Sequence, residues 1–167
     1  MTARLRTAIT LAALAVLLLV GVTWGWSQVS QPLPGKADAA ICVPTSYAAG
    51  DELFVQDVTV SVLNASKREG LAGRTMSELV TAGFAEGQTR NAPDQTRVLR
   101  AEIWTTDADN PAARLVRSRF GRAEVVEKDD PGAAGIVVVV GDDFEETVEG
   151  RASIKADTDV VICGPPL

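Results

Sequence analysis

Residues 7–26 form a run of twenty positions without a charged side chain, directly after Arg4 and Arg6. A helix needs roughly 20 apolar residues to cross the hydrocarbon layer of a bilayer. The run therefore predicts one N-terminal transmembrane helix. Arginines on its short N-terminal side place that end in the cytoplasm, and Trp24 and Trp26 fall where aromatic rings favour the membrane–water boundary. A cleaved signal peptide is the alternative, with an apolar core of only about 7–15 residues and a small-residue site of the Ala-x-Ala kind. Ala37-Asp38-Ala39 has that form but stands well beyond Trp26, past two prolines. The reading is an uncleaved, single-pass signal anchor, with the rest of the chain extracytoplasmic.

Three segments follow: a cytoplasmic tip and anchor over 1–27, a spacer over 28–50 containing proline, alanine and glycine, and a folded domain over 51–167. The chain carries a formal charge of −6, of which Arg4 and Arg6 contribute +2, so the exported part is near −8. Such acidity argues against nucleic acid and against a polybasic grip on anionic lipid. The chain has no histidine. That removes the commonest general base, the Ser/His/Asp and Cys/His nucleophile systems and the usual zinc ligand. No cofactor is expected.

Cys42 and Cys163 are the two cysteines, one near each end of the exported part. An oxidising compartment favours their pairing as a disulfide. A lipid-modified Cys42 and two free thiols stay open as alternatives, although Ala39-Ala40-Ile41 lacks the residue pattern expected ahead of a lipoprotein cysteine.

Periodicity orders the domain. Val58, Val60 and Val62 alternate along a strand over 57–63. A helix over 69–82 turns Leu71, Ala72, Met76, Leu79 and Val80 to one side, with Gly83 as its left-handed terminator. Residues 84–90 and 99–105 read as strands. Asn110 before Pro111 marks an N-cap with proline in the first helical position, opening a helix over 111–120 that buries Ala112, Leu115, Val116 and Phe120. Residues 122–127 and the wholly apolar 136–140 are strands, the latter covered on both faces, and 160–162 form a short last strand. The order βαββαββ predicts an α/β domain, a mixed β-sheet packed with two main helices. Trp104 beside Ile103 faces the opposite way, so at most one of them points into the core.

Three stretches together resemble the LytR C-terminal domain of Gram-positive envelope proteins. They are Val60-Ser61-Val62-Leu63-Asn64-Ala65-Ser66 with Gly70-Leu71-Ala72 and Ala82-Gly83-Phe84; Ala101-Glu102-Ile103-Trp104 before Ala112-Ala113-Arg114-Leu115; and the apolar strand closing on Gly141-Asp142-Asp143-Phe144. The resemblance implies an α/β domain serving cell-envelope biogenesis. Relatives often carry it beside a LytR–CpsA–Psr phosphotransferase domain, which transfers glycopolymers from a lipid pyrophosphate carrier to peptidoglycan. The segment between the anchor and Val58 is too short for that catalytic domain. The expectation is thus a stand-alone, non-enzymatic accessory protein whose partner is an envelope protein, with a LytR–CpsA–Psr enzyme as the candidate, or a wall glycopolymer.

The candidate ligand-binding residues are Asn64, Ser66, Lys67, Arg68 and Arg74, where a strand-to-helix turn combines cations with the unpaired N–H groups of a helix start. Asn64 and Ser66 capping the helix, with solvated cations, is the plainer reading, and the Gly-x-x-x-x-Gly-Lys pattern of a phosphate loop is missing. Asp142, Asp143, Glu145, Glu146 and Glu149 lack calcium-loop spacing, so no metal is expected. The carboxylate pairs Asp107/Asp109 and Asp142/Asp143 read as turn and capping residues rather than an acid–base couple.

Overall fold

The computed structural model describes residues 3–29 and 41–166, with side chains described for 9–22, Trp24 and 41–166. Ala37-Asp38-Ala39, the middle of the expected spacer, and the side chains of Arg4, Arg6 and Trp26 lie outside the described residues. The chain divides into two units, Met1–Ala39 and Ala40–Leu167.

The first unit is helix α1, Ala3–Val29, 27 residues long. Alanine and leucine, strong helix formers, dominate its middle. Its described apolar side chains, among them Leu11, Leu17 and Val20, are all exposed, as is Trp24. Among the residues whose side chains are described, which in α1 are 9–22 and Trp24, no helical stretch is long and apolar enough to cross a membrane.

The second unit contains β1 (Val43–Tyr47), β2 (Glu52–Phe54), β3 (Thr59–Asn64), α2 (Leu71–Thr81), β4 (Ala85–Asn91), β5 (Ala101–Thr105), α3 (Pro111–Arg117), β6 (Glu124–Glu127), β7 (Ile136–Val140), β8 (Ser153–Lys155) and β9 (Val160–Gly164). Five strands make one mixed sheet in the order β4-β3-β7-β5-β6. Strand β3 runs parallel to β4 and β7, β5 runs parallel to β6, and β5 meets β7 antiparallel. Two strand–helix–strand units, β3–α2–β4 and β5–α3–β6, therefore flank β7, the late strand inserted between them. Two antiparallel ribbons, β1 with β9 and β2 with β8, complete the unit.

Strand β7 occupies the centre because its five residues, all Ile or Val, are buried on both faces. Ile136, Val138 and Val140 join Val60, Val62, Ile103 and the buried faces of both helices in the larger core. Val137 and Val139 join Leu63, Val98 and Trp104 in a smaller core on the other face. Both helices thus share one face, a question the element order alone leaves open. The second core also revises the reading of Trp104. Ile103 and Trp104 point in opposite directions, and both are buried, at 0% and 6% exposure. The Trp104 indole N–H donates to Glu102 at 2.8 Å, and the Lys128 ammonium lies 3.9 Å from the ring centroid.

The helix ends follow local chemistry. Asn110 caps α3, its side-chain oxygen accepting the Ala112 N–H at 2.9 Å. Gly83 ends α2 with φ +101°, donating its N–H to Val80 while the Phe84 N–H donates to Leu79. One residue of the expected helix face departs: Val80 is 42% exposed, and Thr75 takes the buried place beside Leu71, Ala72, Met76 and Leu79. The later half of the segment read as spacer contains β1, held against β9 and tied by a Cys42–Cys163 disulfide with Cα atoms 5.3 Å apart.

Candidate functional site

Asn64 ends β3, Val140 ends β7 and pairs with Asn64, and Ala101 begins β5 opposite Val140. The β3–α2, β4–β5, α3–β6 and β7–β8 connections consequently gather at one end of the sheet. The expected ligand-binding corner lies here. Asn64, Ser66, Lys67 and Arg68 line an open groove of about 420 Å³ that also touches Glu69 and Asp94. Arg74 does not line it; it is exposed on α2, one turn on.

The corner is wired internally. The Asn64 amide nitrogen donates to the Arg68 carbonyl at 2.8 Å, and its oxygen accepts the Ser66 N–H at 2.9 Å and the Ser66 hydroxyl at 2.7 Å. The Ser66 hydroxyl in turn accepts the Arg68 N–H at 3.1 Å. Asn64 and Ser66 therefore fold the turn onto itself and do not cap α2. The N-cap of α2 is Gly70, with φ 71° and no side-chain cap. The Lys67 backbone N–H donates to the Asp142 carboxylate at 2.9 Å, and the Arg68 guanidinium donates to the carbonyls of Asp142 and Phe144. A carboxylate and two carbonyls already hold the donors that an incoming anion would seek, leaving the Lys67 ammonium, Arg74 and the uncapped start of α2.

Asp107 forms a turn with its carboxylate, whereas the Asp142 carboxylate reaches across to the distant Lys67 N–H. The Asp109 N–H donates to the Asp107 carboxylate at 2.9 Å, and the Asp143 N–H donates to the Leu99 carbonyl at 2.8 Å. Among the described residues no group of three carboxylates, cysteines or histidines could hold a metal ion.

A second pocket, of about 270 Å³, lies at the same end of the sheet. Phe120 and Phe144 floor it, and Arg100, Arg122, Glu146 and Val148 stand around its mouth. The sequence reading did not single it out. Its residues come from three connections far apart along the chain, and no short motif marks them.

The family model described as LytR cell envelope-related transcriptional attenuator matches residues 57–144. No curated protein matches the chain. Among solved structures, the soluble domain of a conserved hypothetical secreted protein from Mycobacterium marinum, an Rv2700 ortholog, is 23% identical, with a TM-score of 0.50 over 62% of this chain and 79% of that one. The C-terminal domain of RV0431 is 24% identical, with a TM-score of 0.36 over 67% of this chain and 98% of that one. The family match spans more than half of the 167 residues and takes in β3, both packed helices of the second unit and β7, so the chain belongs to this cell envelope-related LytR C-terminal family.

Proposed function

We propose that the protein is a non-enzymatic accessory factor of the bacterial cell envelope, anchored in the membrane by α1, with its folded unit outside the cytoplasm and bound to an envelope protein. A LytR–CpsA–Psr phosphotransferase is the candidate partner. Several features support this. At about 1.5 Å per residue a helix of 27 residues is about 40 Å long, against a hydrocarbon core of roughly 30 Å. Its exposed Leu, Ile and Val side chains call for an apolar surrounding. The Cys42–Cys163 disulfide suits an oxidising compartment. Anchoring confines the unit to a thin layer beside the membrane and raises its effective concentration toward partners confined there.

The single observation that carries the partner reading is the internal satisfaction of the candidate corner, where Asp142 takes the Lys67 N–H and Arg68 is held by backbone carbonyls. A chain without histidine, whose Asp107 and Asp142 carboxylates are taken up by backbone N–H groups, has little with which to catalyse. Crosslinking in native membranes followed by mass spectrometry tests the reading: recovery of wall-assembly enzymes supports it, and recovery of none removes its basis.

A second reading keeps the wall glycopolymer or its lipid pyrophosphate at Asn64, Ser66, Lys67, Arg68 and Arg74. The open groove and the uncapped start of α2 favour it. Binding to isolated wall polymer, with Lys67→Glu and Arg74→Glu for comparison, tests it: unchanged binding in both variants sinks this alternative.

A further inference from the structure

The pocket over Phe120 and Phe144 combines three features. Its floor is aromatic, with ring centroids 5.5 Å apart and both residues more than nine-tenths buried. Its mouth holds Arg100 and Arg122, exposed residues whose guanidinium groups make no hydrogen bond or ion pair among the described residues. Exposed apolar side chains stand beside them: Val148, 48% exposed, lines the pocket, and Leu99, 77% exposed, borders an adjoining depression that shares both arginines and also holds Glu102 and Glu124.

We propose that this pocket docks a protein partner through one bulky apolar side chain lying next to a carboxylate. At about 270 Å³ it falls just short of the roughly 300–1,000 Å³ usual for small-molecule sites, a size suited to a single large side chain. Guanidinium groups meet a carboxylate as a planar, two-pronged pair, and arginine beside aromatic surface is a common anchor of protein interfaces. Glu146 at the same mouth, with Glu102 and Glu124 along the adjoining depression, offsets much of the arginine charge, which disfavours a polyanionic wall polymer and leaves the two unpaired guanidinium groups to meet one carboxylate at short range. The exposed surface continues from the pocket past both arginines to Leu99, which fits a chain running across the mouth, so the carboxylate is an Asp or Glu neighbour of the inserted residue. The inference rests on the partner-binding reading and gives it a surface.

The full chain in lipid nanodiscs, titrated against fluorescein-labelled hexapeptides and read by anisotropy, tests it. One peptide ends in Leu with a free carboxylate, a second is the same peptide amidated, a third is amidated with an internal Leu-Glu, and a fourth has Ser for Leu. Saturable binding of the third is expected, and binding of the first without the third would make a chain terminus the occupant and overturn the proposal. Arg100→Gln and Arg122→Gln should each weaken binding about tenfold, the loss of one charge-assisted contact. Val148→Asp should weaken it too, while Lys155→Gln, at an exposed position of β8 away from the pocket, leaves it unchanged. No saturable binding, equal binding of the Ser peptide, or wild-type affinity in an Arg100→Gln/Arg122→Gln double variant with an unchanged melting temperature overturns the proposal. If the peptides fail while membrane crosslinking still recovers wall-assembly enzymes, the docking surface is wrong and the accessory role stands; failure of both removes both.

Discussion

The carboxylate of Asp142 accepts the backbone N–H of Lys67 at 2.9 Å, across a sequence separation of 75 residues. This bond joins the exit of β7 to the turn that leads from β3 into α2, and it sets a fixed negative charge where an incoming anion would bind.

Asp142→Ala should lower stability by about 1 kcal/mol, the usual worth of such a bond at a solvent-facing position. It should also uncover the corner. Pyrophosphate is then expected to raise the melting temperature of the variant more than that of the wild type. Equal shifts in the two proteins would show that Asp142 does not hold the anion position.

The Cys42–Cys163 bridge closes a separation of 121 residues and pins the β1–β9 ribbon at its end. In the chain-entropy model a loop of this size contributes about 4–5 kcal/mol through the unfolded state. A Cys42→Ala/Cys163→Ala variant should lose stability of that order in urea denaturation. Reductant should shift the wild type by a similar amount and leave the variant where it was.

Gly141 marks where the backbone of β7 passes the β4–β5 connection. A Cβ built there would lie 1.8 Å from the Val98 carbonyl oxygen and 2.6 Å from that of Leu99. The atoms it would meet all belong to the Val98–Leu99 backbone, so no flexible side chain can yield. Gly141→Ala should therefore cost at least about 2–3 kcal/mol, the range of overpacking in tight sites. A denaturation midpoint equal to wild type would contradict this close approach.

Leu79 and Val80 separate the two faces of α2, at 1% and 42% exposure. Leu79→Ala should cost about 2–5 kcal/mol. Val80→Lys should stay within about 0.5 kcal/mol, as at other surface positions. Comparable losses at the two positions would place Val80 in the core, where helical spacing alone puts it.

That contrast shows what a sequence of this kind carries. Alternation of valines in β3, the unbroken Ile136-to-Val140 run, the Asn110-Pro111 helix start and the Gly83 stop are local signals, and local physics decided those elements. Strands β2 and β8 have three residues each, too few to show a period, and β1 contains Pro44 and gains its place only by pairing with β9. The sharing of one face by both helices depends on where β7 inserts, a long-range choice that element order leaves open. At the candidate corner, spacing brought Asn64, Ser66, Lys67 and Arg68 together but gave no hint of Asp142, which arrives from another strand's exit.

Tyr47 is the only tyrosine of the chain, which lets its titration be followed by ultraviolet absorbance without overlap. Burial holds its hydroxyl in the protonated form and raises its pKa, aided by the negative charge of Asp57, a hydrogen bond to that carboxylate and the charge of Asp51. An unfolded tyrosine ionises near pH 10, whereas the folded one still holds its proton there. Above that pH the folded state binds more protons than the unfolded state. The stability supplied by this difference is complete below about pH 10 and is lost as pH rises through the folded value. Urea denaturation between neutral pH and the alkaline range should show wild-type stability falling more steeply than that of Tyr47→Phe, which has no phenol to ionise. Asp57→Asn, by removing the carboxylate, should bring the absorbance midpoint back toward the ordinary tyrosine value. Parallel stability profiles for wild type and Tyr47→Phe would mean that the β1–β9 ribbon does not hold this side chain against Asp57.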